Sequence, residues 1–300
     1  MTNDFIFLTG DADSGERLDR ILAERTGLSL RAARRMIGRN AVSVEGRTRA
    51  EAYKLRPGQI VKVAGEGENS PAGTAPGASG LAMPEEGGPR LLKAGGGFLA
   101  FFKPAGLHTA ALAGGGGPSL EAMLPGLHPG EVILVNRLDR ETSGIVLGAL
   151  SREDAERFRE MENRGEVDKR YLAVVWGAVD APVELRWRLD TAGRARTRVL
   201  DAPAADRLRW TRVNPVGMFD GRTLIEARIA KGARHQIRAH LARAGRPIAG
   251  DELYGTPEEG GLRLHHWRCS LPGFCAACAP DWNEVKVLVE FFSEEHPCEE

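Results

Sequence analysis

No stretch of this 300-residue chain stays apolar for anything near the roughly 20 residues a bilayer-spanning helix needs. Its start, MTNDFIFLTGD, has neither the basic residues nor the long apolar run of a secretory leader. These two absences set aside a helical membrane protein and make a cytoplasmic protein the expectation. Cysteine is scarce, with only Cys269, Cys275, Cys278 and Cys298, too few for a disulfide framework in a chain of this length. Cys275 and Cys278 could form half of a zinc site, with Cys269 and His265 or His266 nearby, but the spacings are loose for four tetrahedral ligands. Free thiols near a surface loop, and no metal, are expected. The glycine runs Gly95–Gly97 and Gly114–Gly117 lack the Lys-Ser/Thr ending and strand-to-helix setting of a phosphate loop.

Net charge is also lacking, at zero overall, but its distribution is uneven. Residues 14–63 carry +7, residues 64–90 carry −3, residues 91–280 carry +5 and residues 281–300 carry −6. A compact module at +7 suggests a polyanionic partner, most simply nucleic acid. In residues 64–90, glycine and proline fill 11 of 27 positions without apolar periodicity. Such a segment buries too little surface to offset its chain entropy, so it reads as a flexible linker between domains at 14–63 and 91–293.

In the first domain, Leu18, Ile21 and Leu22 share a helical face, and Thr26-Gly27 ends that helix. Ser29 is a plausible N-cap for a second helix with Leu30, Ala33 and Ile37 as its apolar stripe. Arg31, Arg34, Arg35 and Arg39 decorate the rest of it, and guanidinium groups suit phosphate oxygens. Val42–Gly46 follows as a short strand and turn, and Leu55–Val63 as a turn and a closing strand. The run from Gly15-Glu16-Arg17-Leu18-Asp19-Arg20 through Ser29, Arg34 and Ile37 to Val42-Ser43-Val44-Glu45-Gly46 and Arg56-Pro57-Gly58-Gln59 resembles the S4-type RNA-binding domain. The resemblance implies RNA binding through the second helix.

In the second domain, strands are expected at Phe98–Phe102, Val132–Val135, Ile145–Leu150, Arg170–Gly177, Leu224–Ile229 and Val285–Val289. Helices are expected after the capping-box start at Ser151-Arg152-Glu153-Asp154 and over Arg234–Ala244. Without a regular βαβ repeat, this mixture points to an α+β fold. Between two of the strands, Arg137-Leu138-Asp139-Arg140 sets a carboxylate between guanidinium groups that would keep it ionised. An ionised, positioned aspartate can serve as nucleophile, base or ligand. A surface ion pair is the plain alternative. Two further segments concentrate polar groups: Lys169-Arg170-Tyr171, and Lys231 to His240 with Pro247 to Gly255 behind it.

Together these segments resemble the RluA-type family of RNA pseudouridine synthases. The match rests on Arg137-Leu138-Asp139-Arg140 with Thr142-Ser143-Gly144, Lys103-Pro104 with Gly106-Leu107, Lys169 with Tyr171, Ala173, Val175 and Gly177, His235-Gln236-Ile237-Arg238 with His240-Leu241, and Pro247-Ile248 with Gly250-Asp251 and Tyr254-Gly255. The resemblance implies the pseudouridine synthase fold, a mixed and mainly antiparallel sheet with flanking helices and loops, preceded by the small S4-type α/β module. It implies Asp139 as nucleophile, Tyr171 packed on the target base, Arg238 paired with the aspartate, and Arg137 filling the gap left by the flipped base. Arg140, His235 and Gln236, with Arg31, Arg34, Arg35 and Arg39, are the remaining expected RNA contacts. No cofactor is expected, because nothing is oxidised and nothing enters or leaves. Ribosomal RNA is the favoured partner, transfer RNA the second choice, and a monomer the expected state. The sequence departs from the family at Asn136, usually histidine, and at Ala233, usually basic. A non-catalytic RNA-binding protein or RNA chaperone is the alternative function; a hydrolase pairing Asp139 with a second carboxylate has less support.

Overall fold

The computed structural model describes residues 5–9, 13–26, 28–44, 47–56, 59–63, 88–111, 117–192, 195–286, 289 and 298. The linker expected at 64–90 lies outside them except for residues 88–90, as does most of the glycine run 114–117. The chain forms two compact units, residues 1–80 with 216–221 and 281–297, and residues 81–215 with 222–280 and 298–300.

Within the first unit, β1 (Phe5–Leu8), α1 (Leu18–Thr26), α2 (Leu30–Gly38), β2 (Val42–Val44), β3 (Arg47–Thr48) and β4 (Ile60–Val63) build two helices and a sheet of order β1-β4-β2-β3. The Ser29 hydroxyl caps α2 by accepting from the Ala32 amide. The buried face of α2 is Ala32, Ala33, Met36 and Ile37, whereas Leu30, expected in the stripe, is 37% exposed. At about 3.6 residues per turn, the buried arc is centred between Ala33 and Met36, and Leu30 in the first turn falls at its edge. Asp19, fully buried in α1, takes both oxygens to Arg17 at 2.9 and 2.8 Å and one to Arg34 at 2.8 Å. Those guanidinium groups hold its carboxyl down at about 2, with burial opposing them.

The second unit contains β5 (Arg90–Gly95), β6 (Phe98–Lys103), α3 (Leu120–Leu127), β7 (Ile133–Leu134), β8 (Ser143–Ala149), α4 (Arg152–Arg164), β9 (Asp168–Trp176), β10 (Val183–Leu185), β11 (Trp187–Asp190), β12 (Arg198–Pro203), β13 (Thr211–Phe219), β14 (Arg222–Ile229), α5 (Gln236–Arg243), β15 (Leu264–Leu271) and β16 (Phe274–Ala277). The main sheet runs β10-β13-β14-β9-β15-β8-β6-β5, with β16 on β15 and β7 on β8, while β11 and β12 pair separately. This is the mixed, mainly antiparallel α+β sheet that the sequence implied. Both faces are covered. Along β6, Leu99 and Phe101 enter one core with α3 and α5, and Phe98, Ala100 and Phe102 enter the other with α4. Ser151 caps α4 at the Asp154 amide, Gly165 ends it in the left-handed region, and Ala155, Phe158 and Met161 form its buried stripe.

Two expectations are corrected. Residues Asn283–Val285 form a 3-10 turn, so no strand begins at Val285; Val287 and Leu288 lie outside the described residues. Of the thiols expected free near a surface loop, Cys269 and Cys278 are free but buried, and Cys275 is joined to Cys298 in a disulfide. Both ring nitrogens of His265 and Nδ1 of His266 are hydrogen-bonded, and among the described residues no group of three His, Cys, Asp or Glu could hold a metal. Tertiary partners decide both outcomes.

The sheet closes around Gly144. At φ 114° its backbone lies outside the usual range of side-chain-bearing residues, and a Cβ there would overlap the backbone of His266 on β15. Gly144→Ala is therefore expected to cost at least about 2 kcal/mol, measured as a shift in the urea unfolding midpoint. An unchanged midpoint would contradict this packing.

Candidate active site

Asp139 sits in the turn between β7 and β8, and the turn is held from several sides. The Lys103 ammonium, fully buried at the end of β6, donates to the carbonyls of Pro104 (2.9 Å), Leu107 (2.8 Å) and Arg140 (3.1 Å). Burial lowers its pKa to about 8, against the opposing pull of Glu141 and Asp139. Thr109 donates to the Leu138 carbonyl at 2.9 Å and accepts from its amide at 3.1 Å. The Gly106 amide donates to Arg140, whose side chain donates back to Gly106 at 3.2 Å. Asn136, the departure from the family pattern, accepts from the Leu147 amide on β8 at 2.6 Å. Its side-chain oxygen thus pins the entry to the turn.

The carboxylate of Asp139, 25% exposed, does not pair with the arginines that flank it. Arg137 and Arg140 are exposed, and Arg140 instead lies 3.5 Å from Glu141. The partner is Arg238 on α5, whose Nη1 donates to Asp139 Oδ2 at 3.3 Å. The Arg238 guanidinium is itself held by Asp251, through Nε to Oδ2 at 2.8 Å and Nη2 to Oδ1 at 2.7 Å. Arg238 stays charged: burial opposes this, but the two carboxylates outweigh it and raise its pKa.

His235 precedes α5 with φ 53°, an outlier of the kind found at functional sites. Its Nε2 lies 3.8 Å from Asp139 Oδ1, and Nδ1 lies 3.1 Å from the Tyr254 hydroxyl. Burial lowers its pKa despite Asp139 nearby, so at neutral pH the ring is uncharged. Tyr254 in turn accepts from the Thr197 amide at 2.7 Å, tying the segment before β12 to the site. Gln236, expected to meet RNA, is buried and bound to the protein's own backbone. Its Oε1 accepts from the Ala233 amide at 3.0 Å and its Nε2 donates to the Arg209 carbonyl at 2.8 Å.

Tyr171 on β9 lines the same cleft, whose volume is about 580 Å³, together with Asp139, Arg137, His235 and Arg238. Its ring stacks on His266 at 4.5 Å between centroids and 15° between planes. Burial, ahead of the nearby acidic groups, pushes its hydroxyl well above the usual phenol range, so it remains protonated. Arg31, Arg34, Arg35 and Arg39 all lie on or beside α2 in the other unit, where Arg31 and Arg39 are exposed and Arg34 is committed to Asp19 and, at 3.7 Å, Glu51. A buried carboxylate claims the guanidinium that the surface pattern offered to RNA. The sequence does not assign Asp251, Lys103 and His266 the roles they hold here. Asp251 and Lys103 fall within the quoted motifs, but only their tertiary partners disclose what they do.

Residues 97–243 match the family described as RNA pseudouridylate synthase. The ribosomal large subunit pseudouridine synthase C of Haemophilus ducreyi is 31% identical over 257 residues, covering 83% of this chain and 79% of its own. The protein of the same name from Yersinia pestis is 31% identical, with 82% and 78% covered. Among solved structures, human RNA pseudouridylate synthase domain containing 1 superposes with a TM-score of 0.52 at 22% identity, covering 69% of this chain and 86% of that one. At that identity it supports the fold alone.

The site's back wall is sensitive to acid. Burial depresses His265 to about 4 and His266 to about 3. Below pH 6.5 the unfolded chain takes up protons that the folded one refuses, so stability present at neutral pH falls as pH drops towards 4. Each histidine contributes about 1.4 kcal/mol per pH unit in that window. His266→Gln is expected to flatten the dependence of the urea midpoint on pH between 6 and 5 by one histidine's share. An equal slope in both proteins would remove His266 from the account.

Proposed function

The chain belongs to the RNA pseudouridine synthase family and is itself such an enzyme, and we propose that it isomerises specific uridines of ribosomal RNA with Asp139 as the nucleophile. The observation that carries this reading is the meeting of Asp139, Arg238 and Tyr171 at one cleft. The reaction breaks the N1–C1′ bond of uridine and makes C5–C1′; a proton leaves C5 and one is gained at N1, so substrate and product have the same atoms. A carboxylate can divide that exchange into two easier steps. Arg238 keeps Asp139 aimed, and the neutral Tyr171 ring, backed by His266, offers an aromatic surface to the base. The base must leave its stack to reach the site, at a cost of a few kcal/mol. Arg137, exposed and lining the cleft, is read as the residue that occupies the vacated position.

Ribosomal RNA is favoured because the relatives that match most of the chain bear ribosomal large subunit names. Residues 14–63 are read as an S4-type module that adds affinity through Arg31, Arg35 and Arg39 on and beside α2. Asp251, the second carboxylate that a hydrolase would need nearby, is buried and bound by both oxygens to Arg238.

Mapping pseudouridines in total RNA from cells with and without the gene tests the assignment. One or more ribosomal sites are expected to vanish on deletion, to return with wild type and to stay absent with Asp139→Ala. Restoration by Asp139→Ala would refute the nucleophile, and a lost site confined to transfer RNA would redirect the substrate. For the module, Arg31→Ala combined with Arg39→Ala is expected to make the slope of log binding constant against log salt shallower by up to about 1.8, at roughly 0.9 per phosphate contact. An unchanged slope would show that α2 is not a phosphate-binding face.

A further inference from the structure

We propose that Asp251 is a positioning residue for catalysis: by holding Arg238 with both carboxylate oxygens, it limits Arg238 to a single contact with Asp139 and leaves Asp139 Oδ1 uncommitted. This rests on the reading of Asp139 as the nucleophile.

An arginine facing one carboxylate prefers two parallel bonds, which would engage both oxygens of Asp139. Here the fork is turned the other way. Nε and Nη2 of Arg238 meet Asp251 at 2.8 and 2.7 Å, and only Nη1 reaches Asp139, at the longer 3.3 Å. Asp251 is built to win this competition. It is fully buried, and its Oδ1 also accepts from the Leu253 and Tyr254 amides at 3.0 Å each. The turn carrying it is fixed by Gly250, whose φ of 73° lets the backbone pass against the Gly261 carbonyl where a Cβ would clash. One guanidinium therefore serves two carboxylates, and the triad keeps one negative charge. Asp139 is the partner that is partly exposed in the cleft, and among the described residues no hydrogen bond reaches its Oδ1, which lies 3.8 Å from the uncharged His235. Lys103 from β6 and the neutral Tyr171 from β9 also act on Asp139, and Arg137, Arg140, Glu162, Lys169 and Arg234 line the same cleft.

Asp251→Asn keeps an oxygen for the two amides but removes the charge that holds the fork. Single-turnover isomerisation of an RNA fragment bearing the mapped uridine is expected to slow at least 10-fold in protein that is still folded, with RNA affinity close to wild type and Tm lowered by loss of the buried charge pair. Removing a negative charge eases ionisation of Asp139, so the acid limb of the rate profile is expected to move to lower pH. A purely structural role would leave that limb in place. Arg238→Lys keeps a cation but cannot fork between two carboxylates; it is expected to lose rate similarly at unchanged RNA affinity, and it decides the matter if Asp251→Asn does not fold. A wild-type rate in folded Asp251→Asn, or an unmoved acid limb, overturns the proposal, as does a wild-type rate in Arg238→Lys where that variant decides. Full activity in Asp139→Asn overturns the nucleophile reading instead.

Discussion

The second unit depends on the place where β15 threads between β8 and β9. On one side His265 and His266 run parallel to Ser143 and Gly144; on the other, His266 lies antiparallel to Tyr171. One residue of β15 thus sets the spacing between the strand that follows the Asp139 turn and the strand that carries Tyr171. The close approach requires Gly144 to lack a side chain, and it seats the His266 ring behind Tyr171. His265 completes the wall by donating from Nε2 to the Cys278 carbonyl at 2.9 Å and accepting from the Ser143 hydroxyl at 2.8 Å. Chain segments that are remote in sequence become neighbours because a buried strand, polar in sequence, finds partners for its imidazoles.

Around this framework the charged groups are arranged by depth. Asp251 and Lys103 lie at the bottom, fully buried and saturated by hydrogen bonds. Arg238 spans the middle, and Asp139 stands at the cleft with a quarter of its surface open. Leaving any of the deep groups without its partner would cost several kcal/mol, which is why each contact is doubled or tripled. The exposed arginines, by contrast, are single and individually replaceable.

Much of the fold was legible in the sequence. Alternating and continuous apolar runs located β6, β8, β9 and β14, and Ser29 and Ser151 marked helix starts because capping is a local interaction. The family pattern brought Asp139, Tyr171 and Arg238 to attention, and the cleft holds all three. What escaped the sequence were choices among partners. Arg137 and Arg140 adjoin Asp139 in the chain, but the arginine that reaches it lies 99 residues away. Arg34 looked like its neighbours on α2 until Asp19 claimed it, and Gln236 looked like a surface amide but is buried against the backbone of Ala233 and Arg209. The Cys275–Cys298 link spans 23 residues that carry no local signal for it. Asn136 reads as a lost histidine, yet its structural duty needs only an acceptor for the Leu147 amide.

Lys103 carries a consequence of its own. A charged ammonium brings three N–H bonds to the three carbonyls that hold the Asp139 turn, whereas the neutral amine brings two. With its pKa lowered to about 8 from 10.5, alkaline solution strips that proton from the folded chain before the unfolded one. Between those values the unfolded chain binds more protons at this group, so its contribution to global stability rises with pH. The turn meanwhile loses one of its three donors. Alkalinity thus strengthens the fold as a whole at this position while loosening the one segment on which chemistry depends, and tolerance of the protein to base need not be tolerance of the enzyme.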